Sequence, residues 1–103
     1  MAKISIDANP TFTAQVPIPV SGGEPVMVGF TFKHRPLDEL TEWVNARANK
    51  KDVETVLDMV EGWEFAEEFN ADNVGRLLQQ RIGASLSIFT VYTRELYQAK
   101  LKN

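Results

Sequence analysis

The sequence predicts an α+β fold, mainly helical: an N-terminal β-hairpin followed by a cluster of about four helices. Three observations predict it. Residues 11–33 alternate apolar and polar positions on either side of a Ser21-Gly22-Gly23 turn. From Pro36 onward, apolar residues recur at the three- and four-residue spacing of helices. A chain of 103 residues is one domain long, residues 1–103, with the hairpin over about 11–33 and the helical part over about 36–101.

The first strand is read at Thr11 to Val20, with Phe12, Ala14 and Val16 or their neighbours on one face. Pro17 and Pro19 each remove a backbone donor, which places this strand at a sheet edge and keeps other chains from pairing with it. Gly22 and Gly23 supply the turn. The second strand runs from Val26 to Lys33 with Val26, Val28, Phe30 and Phe32 in phase. A lone hairpin is marginal in water, so a helix or another chain must cover its apolar face.

Pro36 opens the first helix, with Asp38, Glu39 and Glu42 near the positive end of its dipole and Arg47, Lys50 and Lys51 near the negative end. Leu37, Leu40, Val44 and Ala48 form its stripe, with Trp43 beside them. Asp52 caps a second helix through Val53, Val56, Leu57 and Val60, and Gly62 stops it. The two are either an antiparallel pair or one kinked helix. Asn70 caps a third helix containing Val74, Leu77, Leu78 and Ile82, with Gly75 marking either close approach of a backbone or a tolerated weakness. The last helix runs from Ala84 or Ser85 to Lys100. Its stripe is Leu86, Phe89, Thr93, Leu96 and Tyr97, while Ile88, Val91 and Tyr92 fall outside it. A helix apolar over most of its circumference is either deeply buried or covered by a partner.

Composition narrows the function classes. A net charge of −3 argues against nucleic acid as partner, since phosphate binding draws on Lys and Arg. The local basic groups, Lys33-His34-Arg35 and Lys50-Lys51, are short. The chain has no cysteine, which excludes disulfides and thiolate metal sites. Neither a signal peptide nor an apolar run of membrane length is visible, so no membrane is expected and the cytoplasm is the default compartment.

Reactive constellations are absent from the pattern. His34 is the single histidine and reads as a solvated turn residue. No nucleophile elbow or phosphate-cradling glycine loop is seen. Glu61, Glu64, Glu67, Glu68 and Asp72 crowd together without the spacing of a calcium loop, and read as a solvated acidic loop. No cofactor, no metal and no catalysis are expected. Among these acids stand Trp63, Phe65 and Phe69, each either a core anchor or an interface anchor, with Trp63 resembling a plug behind a helix stop.

Taken together, Phe30-Thr31-Phe32-Lys33, Leu40, Trp43, Val60-Glu61-Gly62-Trp63, Phe69-Asn70-Ala71-Asp72-Asn73-Val74, Leu77-Leu78, Ser87-Ile88-Phe89 and Tyr92 resemble the tail assembly chaperones of long-tailed, lambda-like bacteriophages, from about Val26 onward. The resemblance implies a non-enzymatic, helical, self-associating protein of the host cytoplasm that is absent from the mature virion. It implies binding to the tape measure protein, which is kept soluble while tail tube subunits polymerise around it. It also implies that a frameshifted longer form recruits the tail tube protein. The contacts expected for a partner are Trp63, Phe65, Phe69, Ile88 and Tyr92. The alternatives are a structural subunit of a phage tail or similar assembly and, more remotely, a small nucleic-acid-binding regulator. For the latter, the final helix shows Leu, Ile, Phe and Val where base-reading polar residues belong.

Overall fold

The chain is seen as a computed structural model that describes residues 3–97. Strands β1 (Thr11–Ile18) and β2 (Val26–Lys33) form the hairpin, joined by a turn in which Gly22 takes φ +75°. Helices α1 (Leu37–Ala46), α2 (Asp52–Met59), α3 (Ala71–Gln80) and α4 (Ala84–Tyr97) follow. The α+β architecture of a hairpin and four helices is therefore observed.

One element is additional. Val60–Trp63, expected to finish the second helix, forms a third strand, β3, antiparallel to β2. Helix α2 stops at Met59 because Val60 turns to extended backbone, φ −110° and ψ 142°. Val60 then lies beside Phe32, and Trp63 beside Phe30, with a bulge between Thr31 and Phe32. The sheet order is β1-β2-β3, so β1 is an edge strand, as Pro17 requires, and it ends at Ile18, leaving Pro19 outside it.

The register explains the buried face. Phe12 sits opposite Phe32, Ala14 opposite Phe30 and Val16 opposite Val28. Val16, Ile18, Phe30, Phe32 and Val60 are buried against Leu40, Trp43, Val56, Met59, Val74, Leu77, Ile88, Val91 and Tyr92 in one cluster. Val26, in phase with that row, lies exposed at the turn end of the hairpin.

Several local expectations are corrected. Pro36 is the N-cap of α1 rather than its first residue, and Leu37 and Ala48 are exposed while Leu40 and Trp43 are buried. A short 3-10 turn, Arg47–Asn49, separates α1 from α2, so the two are distinct helices. Lys51 occupies the cap position of α2 without a side-chain hydrogen bond, and Asp52 is its first residue. Asn70 does cap α3, its side-chain oxygen accepting from Asn73 N at 2.8 Å. A Cβ at Gly75 would meet nothing within 4 Å, so no backbone approaches there and the tolerated weakness is what remains. Gly83, at φ +94°, makes the turn into α4. The expected end of that helix at Lys100 lies outside the described residues.

Candidate functional site

The most distinctive surface grows from β3. Trp63 leaves the sheet half-buried and meets three rings edge-on: Phe65 at 5.0 Å, Phe69 at 5.1 Å and Phe30 at 6.1 Å between centroids. Phe65 also stands edge-on to Phe30, at 5.9 Å. Edge-to-face geometry suits ring quadrupoles. The indole Nε1 donates to Glu67 O at 2.8 Å, which folds the acidic loop back over its own tryptophan.

Glu64 fastens the same loop to the sheet. Its backbone N donates to Gly29 O at 2.9 Å, and its carboxylate accepts from Gly29 N at 3.0 Å. A Cβ on Gly29 would collide with that carboxylate, so a side chain there would push Glu64 off the Gly29 N–H. One acid of the loop thus makes a structural contact, although Glu64, like Glu61, Glu67 and Glu68, is exposed.

Between this loop and α3 lies a groove of about 410 Å³. Trp63, Phe65 and Leu77 give it an apolar floor, and Glu67, Asn73, Arg76, Gln80 and Arg81 its polar sides. The Arg76 guanidinium donates to the neutral Asn73 side chain at 3.0 Å, and among the described residues neither Arg76 nor Arg81 is in a salt bridge. Helix α3 presents these residues because Val74 and Leu77 face the core, turning Arg76, Gln80 and Arg81 outward.

The five expected contact residues separate into two groups. Trp63, Phe65 and Phe69 are together and partly exposed. Ile88 and Tyr92 are each 0% exposed, so in this fold they have no surface to offer a partner. This corrects the reading of α4: its inward face is Ala84, Ile88, Val91 and Tyr92, and its outward residues include Leu86, Thr90, Arg94 and Tyr97. Both possible stripes were apolar, and only packing against β1 and α2 selected one.

Tyr92 instead belongs to an internal polar network. Its hydroxyl donates to Lys33 O at 2.8 Å and accepts from Arg35 Nη1 at 2.9 Å. The same Nη1 donates to Asp58 O at 2.8 Å, and the guanidinium lies 4.9 Å from the Trp43 ring centroid. The Asp58 carboxylate accepts from Trp43 Nε1 at 2.9 Å and from Lys50 Nζ at 2.7 Å. Burial pushes the Asp58 carboxyl up, but the hydrogen bonds from Lys50 and Trp43 and the charges of Lys50 and Arg35 together hold it below its ordinary value. Burial raises the Tyr92 hydroxyl, with Arg35 partly opposing. The basic group Lys33-His34-Arg35 is therefore largely tied inward, since Lys33 Nζ also donates to Leu57 O at 3.3 Å.

The groove was only half legible in the sequence. Its aromatics stood out, but Arg76, Gln80 and Arg81 did not. Their helical spacing beside Leu77 was a usable signal only once the loop was known to fold against α3.

Among the described residues, no group of three or more His, Cys, Asp or Glu is placed to hold a metal ion, and no helix is long and apolar enough to cross a membrane. Fold and surface describe a small α+β protein whose salient feature is a groove with an aromatic floor and polar, charged sides. The family model described as phage tail assembly chaperone matches residues 1–103, and the chain belongs to that family. The match takes in the N-terminal residues as well as the stretch from Val26 that carries the sequence resemblance. No curated protein and no solved structure matches the chain. Membership of a chaperone family suggests a non-enzymatic role.

Proposed function

We propose that this protein binds the tape measure protein during tail assembly, keeps it soluble, and supports polymerisation of the tail tube around it. Family membership over the whole chain is the observation that carries the reading. The aromatic groove supports it physically. A long helical rod exposes apolar stripes before the tube encloses it, and half-buried Trp63, Phe65 and Phe69 offer apolar area with little conformational freedom left to lose. Many copies along one rod gain by multivalency, so each contact can be weak. Self-association, action in the host cytoplasm, absence from the finished virion, and recruitment of the tail tube protein by a frameshifted longer form belong to the same proposal.

The test is co-expression with the tape measure protein, reading the client's soluble fraction and its co-purification, followed by mass spectrometry of purified particles. A client that is soluble only with this chain, and particles lacking it, are the expected results. A client equally soluble alone, or this chain retained in finished particles, overturns the reading and favours a structural subunit.

A further inference from the structure

The sheet leaves β1 with one free edge, and the register says which groups stand on it. His34 N donates to Pro10 O at 2.9 Å, and the pairing then runs without a shift from Thr11 with Lys33 to Ile18 with Val26. Phe12, Ala14, Val16 and Ile18 therefore turn their backbone groups towards β2, while Thr11, Thr13, Gln15 and Pro17 turn theirs away from it. β1 has β2 as its one strand neighbour, and among the described residues no other backbone group bonds to the outward set. Thr13 and Gln15 also expose their side chains.

Proteins usually blunt such an edge with charge, proline or a bulge. β1 has little of this. Pro17 withholds a donor at its own position only, which leaves the N–H groups of Thr11, Thr13 and Gln15 ready to pair. No bulge interrupts β1, since the irregularity of the sheet lies between β2 and β3. No charged residue occurs from Pro10 to Gly23, in a chain that is 24% charged. Helix α4 meets β1 on its apolar face, where the Tyr92 ring stacks on Phe12 at 6.2 Å.

We propose that this edge pairs with the same edge of a second copy, antiparallel about a two-fold axis at Thr13, so that two three-stranded sheets become one. This rests on the self-association proposed above and supplies its contact surface.

The edge is its own complement. With Thr13 facing its own copy, Thr11 faces Gln15, and each outward N–H meets an outward carbonyl across the axis. Phe12 then lies against Ala14, a large side chain over a small one, and the core of one copy buries both only in part. Thr13 beside Thr13 is a favourable cross-strand pair. Pro17 falls opposite Asn9 at the end of the ladder, where its missing donor interrupts nothing. Because the strand is uncharged, two copies meet without like-charge repulsion. The client proposed above is a helical rod, which has no strand to offer. Trp63 and its groove lie at β3, the opposite edge of the sheet, so the pairing leaves them free for that client. The same patch serves both copies, and the contact closes at a dimer.

Sedimentation velocity of the full chain over a concentration series tests this, with far-UV circular dichroism confirming that each variant is folded. The wild-type chain is expected to dimerise as concentration rises. Thr13→Pro should weaken dimerisation by about tenfold or more, because each copy loses its central donor. The strand already holds a proline at an outward position, Pro17, so it has room for this change. Thr13→Lys and Thr13→Glu should each weaken dimerisation alone, and an equal mixture of the two should restore it, which singles out an axis at Thr13. The chain has no cysteine, so Thr13→Cys should cross-link copies under mild oxidation, whereas Gln79→Cys on α3 should not. A wild-type chain that stays monomeric overturns this contact and self-association together. Dimerisation that survives Thr13→Pro, or cross-linking no faster through Thr13→Cys than through Gln79→Cys, overturns this contact alone. A Thr13→Pro chain that still dimerises but no longer keeps the client soluble gives the edge to a client strand, which also overturns it.

Discussion

Tyr92 shows how one residue serves two kinds of chemistry. Its ring touches Phe32 at 5.4 Å, Trp43 at 5.6 Å and Phe12 at 6.2 Å between centroids, joining α4 to both hairpin strands and to α1. Its hydroxyl then satisfies the Lys33 carbonyl and accepts from Arg35. Phenylalanine would keep the packing and leave both groups short of a partner. Tyr92→Phe is therefore expected to lower stability by about 1–3 kcal/mol in urea titration, with the fold retained. Asp58 adds a pH dependence. Its folded-state value lies below the ordinary 3.8. The stabilisation is thus fully present above that ordinary value and is lost as pH falls through the folded-state value. Asp58→Asn should flatten the acid limb of the stability profile. An unchanged acid limb, measured by denaturant titration at several pH values, would show the carboxylate to be without consequence.

At the scale of elements, the short strand β3 decides where the groove forms. By ending α2 at Met59 and pairing with β2, it delivers Trp63 beside Phe30 and starts the loop that Glu64 clamps to Gly29. Sequence periodicity favoured helix through Val60 because Val53, Val56, Leu57 and Val60 share a helical face, and a four-residue strand has too little alternation to compete. Helix α3 holds the groove's cationic side and carries a correctable weakness. Gly75 lies in the helix interior with open space where a Cβ would be. Gly75→Ala should raise the midpoint of thermal unfolding, with a gain of about 0.5–1 kcal/mol. Asn70→Ala on the same helix should cost about 1 kcal/mol, because the cap to Asn73 N is lost. Thermal melts of both variants, read by circular dichroism, would show shifts of opposite sign.

Across the whole molecule, the sheet's apolar face and four helices share one core, and α4 supplies four of its members. Surface and core roles separate there. Ile88→Ala removes volume from a site that is 0% exposed and should cost about 2–5 kcal/mol, seen as a lower urea midpoint. Any loss of client binding in that variant would report unfolding. Arg76 and Arg81 are exposed, so their substitution leaves stability within about 0.5 kcal/mol and gives a clean reading of the groove.

The sequence by itself determined the hairpin, its turn, the edge position of β1, the number of helices and the family resemblance. These follow from local chemistry: prolines without donors, paired glycines at a turn, an Asn cap, and periods of two and of about four. Only the tertiary structure decided which face of α4 turns inward, that Val60–Trp63 is strand, and that Arg76 and Arg81 stand beside Trp63 and Phe65. When two faces of a helix are both apolar, local pattern cannot choose between them. The choice belongs to whichever face meets the sheet, and here the sheet meets Ile88 and Tyr92.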